Sequence, residues 1–369
     1  MDRRKFVGTA GLAGAAGLLG ACAKPGSSQT ACEEQGGGET FEWKMVTSWP
    51  RDFPGLGTGA NRLAESITRL SNGRLKVKVY GGNELVPAFE VFDAVQQRTA
   101  EMGHSASYYW KGKAPAAQFF AGIPFGMTSQ ELHGWIYYGG GLELWREVYA
   151  PHGIVPFLVG NSGPQMGGWF NREINSIADI QGLKMRIPGL GGEILRRAGG
   201  TPTNIPGAEL FTALQTGTID ATEWVGPYND LAFGLFRAAK YYYYPGWHEP
   251  GTALECMVNQ QAYESLPEDL QAIVRIACQA AVLDMWSDIT YNNGIALKKL
   301  IEEHGVELRR FPTDVLDRLS SISNELMREM AAEDELMGRI YDSFQAYGEI
   351  VKPWTEISDR ALLNLRPEG

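Results

Sequence analysis

An arginine at the end of a short apolar run could bind a carboxylate. Arg186 lies in the stretch GLKMRIPG (182–189), just before a proline and a glycine. In α/β proteins, ligands bind beyond the carboxyl ends of strands, and a guanidinium there can donate two parallel hydrogen bonds to a carboxylate. Taken alone, the stretch is more simply interpreted as a strand-surface arginine whose charge is solvated. The rest of the sequence has to distinguish a carboxylate clamp from a solvated charge.

A glutamate in a second strand-like run could likewise be either part of a ligand site or a solvated charge. Glu223 and Trp224 lie in IDATEWV (219–225). If Glu223 faced an anionic ligand beside Arg186 in a closing cleft, two negative charges would meet one positive charge. A buried, unpaired carboxylate is costly, so this arrangement would require a cation. The alternative is again a strand-end side chain in water.

Histidine and cysteine give no comparable pattern. The chain has five histidines without an HExxH pair, and we interpret His104, His133 and His248 as structural. The spacing of the four cysteines fits no zinc site. Cys256 and Cys278 are most simply buried thiols, and a disulfide between them is the alternative in an oxidising compartment.

Short strands alternating with helices are expected to position these residues. Such alternation predicts an α/β protein with mostly parallel sheets. The predicted strands are FEWKMVTSW (41–49), LKVKVY (75–80), GIVPFLVG (153–160), MGGWF (166–170), LKMRI (183–187) and IDATEWV (219–225). The predicted helices are Arg62–Ser71, Pro87–Thr99 and segments around Ala178, Glu193 and Leu210.

Two segments of the chain are similar to each other. VFDAVQQRTAEMGHS (91–105) and LFTALQTGTIDATEW (210–224) share Phe, Ala, Gln and Thr at equivalent positions. Each reads as a helix that passes through a Thr-containing turn into a strand. The similarity predicts two related lobes, with residues 105–109 and 223–224 at comparable strand ends that face each other across a cleft.

A long helix is predicted from Ser265 to Gly305. Ser265 and Glu268 have the spacing of a capping box, and the following apolar pattern continues without a helix breaker. A helix of this length exceeds one lobe, so we expect it to lie across both. Its Met285 and Trp286 are interpreted as core residues.

The N-terminal segment predicts export. Arg3 and Arg4 precede an uncharged run rich in Gly, Ala and Leu, which is too short to span a bilayer stably. We interpret residues 1–22 as a twin-arginine signal whose end resembles a lipoprotein cleavage box with Cys22 acylated. The alternative is ordinary cleavage nearby with Cys22 discarded. Residues 23–40 are a polar Gly/Ser tether.

Composition fits a soluble two-lobed protein outside the cytoplasm. The chain has 369 residues, of which 44% are hydrophobic and 21% charged, and its formal net charge is −10. About 330 residues after the tether suffice for two lobes. The acidic balance argues against nucleic acid and anionic membrane surfaces as partners, and it requires a local cationic site for any anionic ligand.

Six stretches together resemble a known family. The stretches are SWPRDFPGLGTGANRLAE, ELVPAFEVFDAVQ, YYWKGKAPAAQFFAGIPFGM, GLKMRIPGLGGEIL, LQTGTIDATEWVGPYND and YYYYPGWHEPGT. They resemble the extracytoplasmic solute receptors of TRAP (tripartite ATP-independent periplasmic) transporters, and among these the subgroup that binds 2-oxo acids such as pyruvate. The resemblance covers roughly residues 41–354.

The resemblance implies a periplasmic-binding-protein fold with two α/β lobes around a closing cleft. Lobe I would comprise residues 41–163 with part of 252–285, and lobe II residues 164–251. The long helix (265–305) would span both lobes, and residues 306–369 would form a C-terminal strand and helices.

The resemblance also implies a ligand site and partners. Arg186 would clamp the ligand carboxylate, while Tyr108, Ser48 and Trp49 would close the other side. A sodium or calcium ion bound with the ligand would be held by Gln165, Glu223, the Trp224 carbonyl and Glu249, since hard oxygen donors suit these ions. The receptor would deliver a small 2-oxo or 2-hydroxy monocarboxylate to the membrane permease subunits, without catalysis, and it could form a homodimer.

Two other functional classes stay open on the sequence. An exported, metal-assisted enzyme acting on oxo acids would need a general base or nucleophile near the metal, and only carboxylates stand out. A sensory protein could use the same fold with a signalling partner in place of a permease.

Overall fold

The structure, a computed structural model, describes residues 39–367. The predicted signal, the acylated Cys22 and nearly all of the tether lie outside the described residues. The strands are β1 Phe41–Thr47, β2 Leu75–Tyr80, β3 Met102–Ser105, β4 Ile154–Asn161, β5 Gly168–Phe170, β6 Lys184–Arg186, β7 Thr201–Thr203, β8 Ala221–Thr222, β9 Tyr241–Tyr244, β10 Ala253–Asn259 and β11 Glu307–Arg310.

Helices cover the strands on both faces. They are α1 Leu56–Leu70, α2 Val91–Gln96, α3 Gln118–Ala121, α4 Ser129–Tyr138, α5 Gly141–Tyr149, α6 Gly189–Arg197, α7 Leu210–Gln215, α8 Pro227–Phe233, α9 Gln260–Glu264, α10 Glu268–Glu302, α11 Thr313–Glu333, α12 Glu335–Thr355 and α13 Ala361–Asn364. Within the described part of the chain, none of these helices combines the length and the apolarity that crossing a bilayer requires.

The strands form two sheets, one in each lobe. The first sheet has the order β2-β1-β3-β10-β4, and the second has the order β11-β9-β5-β8-β6-β7. The chain crosses from the first to the second sheet between β4 and β5, returns between β9 and β10, and crosses again through α10 to β11. The two-lobed α/β fold is confirmed, while the lobe boundaries stay predictions.

The sheets are more mixed than the sequence analysis predicted. β10 runs antiparallel to β3 and β4, and β5 runs antiparallel to β8 and β9. The remaining neighbours are parallel. β5 and β10 are the strands into which the two short crossing segments lead, whereas β11 is reached through α10. They are not joined to their neighbours by a crossover helix, so they are free to run in the opposite direction.

The two similar segments fold as predicted. The first runs from α2 into β3, and the second runs from α7 into β8. Both strands are fully buried, and both end at the cleft. The predicted helix Pro87–Thr99 is shorter than expected, because a turn closed by the Glu90 N–H and the Pro87 carbonyl precedes α2.

The long helix is confirmed, but the predicted capping box is wrong. α10 begins at Glu268 directly after Pro267, whose fixed φ favours a helix start. The Ser265 hydroxyl instead donates to the Ala262 carbonyl at the end of α9, at 2.8 Å. The 35 residues of α10 extend over about 52 Å at ~1.5 Å per residue. α10 packs against α1 and β4 of the first lobe and against α8 of the second, so it spans both lobes.

The core consists of two apolar clusters, and the two cysteines of the described region lie in one of them. Cys256 on β10 and Cys278 on α10 are buried as free thiols. Met285 is buried in the same cluster, as expected for a core residue. These packed helices and strands hold the strand ends described below in fixed positions.

Candidate ligand-binding site

A narrow cavity lies between the two lobes. Its accessible volume is only about 10 Å³, and it is lined by Trp49, Leu56, Tyr108, Tyr109, Ser162, Gln165, Trp224, Val225, Thr252 and Leu254. A cavity of this size holds about one water molecule, so side chains nearly fill the cleft in this structure. A wider groove of about 940 Å³ lies between α1, β2 and α10, but it is an open surface groove.

Arg186 is the most deeply buried cation of the site. It ends β6, and Pro188 then stops the strand before α6 begins. Its side chain is 2% exposed and donates to the Glu223 carboxylate, to the Tyr109 hydroxyl at 3.2 Å and to the Ile205 carbonyl at 3.3 Å. Burial lowers the pKa of Arg186, yet the Glu223 carboxylate more than offsets it, so the pKa is raised. The solvated strand-surface alternative is therefore wrong.

Glu223 is positioned by the strand next to Arg186. β6 and β8 are parallel, with Arg186 opposite Thr222, so Glu223 follows directly at the end of β8. Its side chain is 1% exposed, and its Oε1 accepts from Arg186. Its Oε2 lies 3.4 Å from the Nε2 atom of His248. The interpretation of Glu223 as a strand-end side chain in water is therefore also wrong, because Glu223 is half of a buried ion pair.

Glu249 brings a second carboxylate to the same place. Its Oε2 accepts from the Gln165 amide at 2.6 Å and from the Thr252 hydroxyl. Burial, reinforced by the nearby Glu223 carboxylate, raises the pKa of Glu249 to about 7. Backbone hydrogen bonds also tie the two crossing segments together, since the Gln165 N–H donates to the Glu249 carbonyl at 3.2 Å. The two short connections between the lobes, from β4 to β5 and from β9 to β10, therefore meet at the site.

These residues have the donor chemistry of a cation site. Donor atoms of Glu223, His248 and Glu249 lie within 4.8 Å of one another. The buried Oε1 atom of Gln165 has no hydrogen-bond partner among residues 39–367. An unsatisfied buried oxygen beside two carboxylates fits a bound cation, and oxygen donors suit sodium and calcium. We therefore find that the residues fit the ion implied by the sequence.

The residues predicted to close the site lie at different distances from the cavity. Tyr108 and Trp49 line it, and burial raises the pKa of Tyr108. Ser48 is buried behind the lining, where its hydroxyl contacts the Ala88 carbonyl at 2.8 Å and the Ser105 hydroxyl at 2.6 Å. The structure thus brings together Arg186, Gln165, Tyr108, Glu223, Trp224, Glu249 and Trp49, but it does not bring the Ser48 hydroxyl to the cavity.

A glycine allows the two lobes to approach closely at this point. Gly189, directly after Pro188, has a φ of +57°, and a Cβ atom there would lie 2.9 Å from the Cβ of Tyr108. Any other residue would both strain the backbone and push Tyr108 away. The glycine of the GLKMRIPG stretch therefore helps to set the width of the cleft beside Arg186.

Two residues of the site were missed by the sequence analysis. Tyr109 accepts from Arg186, yet only its neighbour Tyr108 was expected there. His248 was interpreted as structural, yet it lies beside Glu223 with both ring nitrogens lacking a partner among the described residues. Its position next to Glu249 in WHEPG was the available signal. By contrast, His104 accepts from the Trp49 indole at 2.8 Å and is structural, as expected.

The fold and the site together define the class of protein. Two α/β lobes that enclose a small cavity beside a buried ion pair, joined by crossing segments, are the architecture of a solute-binding protein. Residues 45–334 match the model of the DctP family, described as bacterial extracellular solute-binding protein, family 7. The chain belongs to this family, which comprises the solute receptors of TRAP transporters.

Individual relatives are similar over almost the whole chain. A monocarboxylate 2-oxoacid-binding periplasmic protein of Nostoc sp. is 39% identical over 99% of this chain and 98% of its own. A TRAP periplasmic solute-binding protein from Pseudoalteromonas atlantica, solved with sodium and pyruvate, is 46% identical with a TM-score of 0.87, covering 89% of this chain and 100% of that one. One from Colwellia psychrerythraea, solved with calcium and pyruvate, is 47% identical with a TM-score of 0.86, covering 88% and 99%.

Proposed function

We propose that this protein binds a small 2-oxo or 2-hydroxy monocarboxylate together with a sodium or calcium ion, and delivers the acid to a membrane permease. The observation that carries the proposal is the buried ion pair of Arg186 and Glu223, in which Arg186 also contacts Tyr109 and Trp224 of the cavity lining. The named ligands of the relatives from Nostoc, Pseudoalteromonas and Colwellia support the same class of acid and ion.

Arg186 is the group that would hold the carboxylate. Its planar guanidinium can form two parallel hydrogen bonds to a carboxylate, which lysine cannot reproduce. In the structure, the Arg186 guanidinium donates to the Glu223 carboxylate. An incoming acid therefore has to share Arg186 with Glu223 or displace Glu223 from it. Two acids around one arginine leave an excess negative charge in a buried site.

Glu223, Gln165 and Glu249 would hold the cation, and the Trp224 carbonyl completes the set expected from the sequence. The ion supplies a positive partner for Glu223 when the ligand carboxylate takes Arg186. Once Glu223 has that partner, Arg186 is free to bind the acid. Cation and acid should therefore strengthen each other's binding, by the same factor in both directions.

A binding panel tests this function. Titration calorimetry of the mature protein in sodium buffer, with 2-oxo, 2-hydroxy, dicarboxylic and amino acids, should show heat only for small monocarboxylates with an oxygen at C2. Prolonged incubation with pyruvate should leave the acid unchanged, which separates a receptor from the alternative of a metal-assisted enzyme. Binding of a sugar or an amino acid, without binding of any 2-oxo acid, would overturn the proposal.

We propose a periplasmic location with a lipid anchor on Cys22. The twin-arginine stretch, the residues before Cys22 and the polar tether support this location. Mass spectrometry of the protein from membranes should find diacylglycerol on Cys22 as the new N-terminus. Recovery of an unlipidated chain that begins after Cys22 would contradict the anchor.

A homodimer through the C-terminal helices is also proposed. Apolar side chains at Ile350, Trp354 and Ile357 are between 64% and 74% exposed and follow one another at four- and three-residue spacing, as on one helix face. Such a stripe is complementary to a second copy of itself. Trp354→Glu should convert a dimer to a monomer in light scattering, and a monomeric wild-type protein would contradict the pairing.

A further inference from the structure

His248 is a buried side chain that the proposed sodium or calcium site does not account for. It lies between Trp247 and Glu249 and is only 2% exposed. Neither of its ring nitrogens has a hydrogen-bond partner among residues 39–367. Leaving a buried polar group unpaired is costly, so such a group in a native protein calls for an explanation.

The distance between His248 and Glu223 is informative. Nε2 of His248 and Oε2 of Glu223 are 3.4 Å apart. A charge-assisted hydrogen bond between such groups is shorter, at about 2.7–2.9 Å. Two donor atoms bound to one tetrahedral zinc ion, each at about 2.0–2.2 Å, are separated by roughly 3.3 Å. The spacing therefore fits two ligands of one ion better than it fits a direct hydrogen bond.

Glu249 completes a three-donor group. Its ligand atom lies within 4.8 Å of those of Glu223 and His248. Both of its side-chain hydrogen bonds end on Oε2. Two carboxylates exceed the single charge of Arg186, so the cluster has a negative balance that favours a cation. Carboxylate oxygens bind many kinds of ion, but an imidazole nitrogen suits zinc, copper, iron and nickel.

We propose that Glu223, His248 and Glu249 bind a divalent transition-metal ion of the zinc class, with Nε2 of His248 as its nitrogen ligand. This inference rests on the proposed function, because it assigns a further ligand and a second class of ion to the cation site. Three protein ligands leave coordination positions open. The carboxylate and the C2 oxygen of the acid can occupy those positions, so zinc competes with sodium and calcium for the same site.

Metal titration of the intact mature protein tests the proposal. Chelator-stripped protein is titrated with Zn²⁺ in the absence of any acid, and calorimetry is expected to show one site per chain that excess Ca²⁺ weakens. Pulsed electron paramagnetic resonance of protein loaded with one equivalent of Cu²⁺ is expected to detect one imidazole nitrogen. Absence of a Zn²⁺ site, or a Cu²⁺ signal without imidazole, overturns the proposal without relying on any variant.

His248→Gln isolates the nitrogen ligand. Zn²⁺ affinity is expected to fall by at least ~10-fold, the lower bound for disturbing a metal ligand's surroundings. Ca²⁺ affinity is expected to stay within ~3-fold, because calcium prefers oxygen ligands. The matched control is His133→Gln, since His133 also has an unpartnered ring nitrogen but lies away from the site, against Trp286. Zn²⁺ affinity of His248→Gln equal to that of His133→Gln overturns the assignment.

Pyruvate binding in Ca²⁺ buffer, measured on the same preparation, separates this inference from the proposed function. If pyruvate binds with Ca²⁺ but the stripped protein binds no Zn²⁺, the receptor function stands and the zinc-class site is wrong. If Zn²⁺ binds through His248 but no 2-oxo acid binds with any cation, the metal site stands and the receptor function is wrong.

Discussion

The protein buries carboxylates in two kinds of surroundings, inside the lobes and at the cleft. Within the first lobe, Glu255 accepts from the Trp110 indole at 2.5 Å and from the Tyr149 hydroxyl at 2.7 Å. Within the second lobe, Asp230 accepts from the Trp169 indole at 3.0 Å and from the Tyr242 hydroxyl at 2.7 Å. Each of these acids is paired with neutral donors, and burial raises the pKa of both to about 7.

The cleft acids are surrounded differently. Glu223 is paired with a charged group, Arg186, and Glu249 lies nearby. Around them, Gln165 Oε1, the Trp224 indole N–H and both nitrogens of His248 have no partner among the described residues. The lobe acids complete their hydrogen bonds within the fold, whereas the cleft acids lie among groups that await a ligand. Burial of a carboxylate therefore does not mark the site; what sets the cleft apart is a charged pair, a second carboxylate and several unsatisfied polar atoms in one place.

Replacing Arg186, the residue proposed to hold the ligand carboxylate, should have the largest effect on acid binding at the cleft. Arg186→Lys should retain the fold but lose about 2–5 kcal/mol of acid binding, or ~30- to several-thousand-fold in affinity, because a point charge replaces the planar guanidinium. Calorimetry with pyruvate measures the change, and circular dichroism controls for folding. An affinity for pyruvate within ~3-fold of wild type would mean that Arg186 pairs with Glu223 and does not bind the acid.

Removing the charge of Glu223 should give the next largest effect. Glu223→Gln keeps an oxygen donor but removes the anionic half of the cation site, so acid affinity should fall by ~10- to 100-fold. The dependence of that affinity on sodium should weaken at the same time. Retained sodium dependence in this variant would place the ion elsewhere.

The lobe acids should affect stability instead of binding. The raised pKa of folded Glu255 means that the folded state binds a proton which the unfolded state releases between pH ~4 and ~7. Stability should therefore decrease as the pH rises through this window, by about 3 kcal/mol for a shift of this size.

Glu255→Gln should reduce that decrease and leave the share of Asp230, while acid affinity changes by less than ~3-fold. Urea unfolding at a series of pH values measures the slope, and the exposed Glu42→Gln should retain it. A wild-type slope in Glu255→Gln would assign the proton to another group, such as Asp230.

The smallest effect is expected at Ser48. Its hydroxyl is engaged by Ala88 and Ser105 behind the cavity, so Ser48→Ala should lower acid affinity by less than ~3-fold. A loss of 10-fold or more would show that the hydroxyl reaches the ligand in the bound state, as the family resemblance implied.

Local patterns predicted much of the fold and part of the site. The strand LKVKVY and the long helix were predictable because alternation and helical periodicity extend over many residues. Arg186 and Glu223 were predictable as strand-end charges, but their pairing depends on the register of β6 and β8, which no local pattern contains. The capping box at Ser265 failed because Pro267 started the helix two residues later.

His248 shows why the rest of the candidate site could not be predicted from the sequence. A lone histidine in a sequence is most often structural, and His104 and His133 follow that rule. His248 differs only because the return crossing to β10 places it beside Glu223, which is 25 residues earlier in the chain. Contacts of this kind arise from the meeting of two lobes, so a single sequence contains too little information to assign them.

The most direct test of the account is the sodium dependence of pyruvate binding. Calorimetry is performed on chelator-treated protein in sodium buffer and in buffer with a large organic cation at equal ionic strength, so that screening is the same in both. We expect strong binding in sodium, a marked loss in the organic cation, and recovery on adding calcium. Equal affinity in all three buffers would contradict the account, because Arg186 would then bind the acid without any ion beside Glu223.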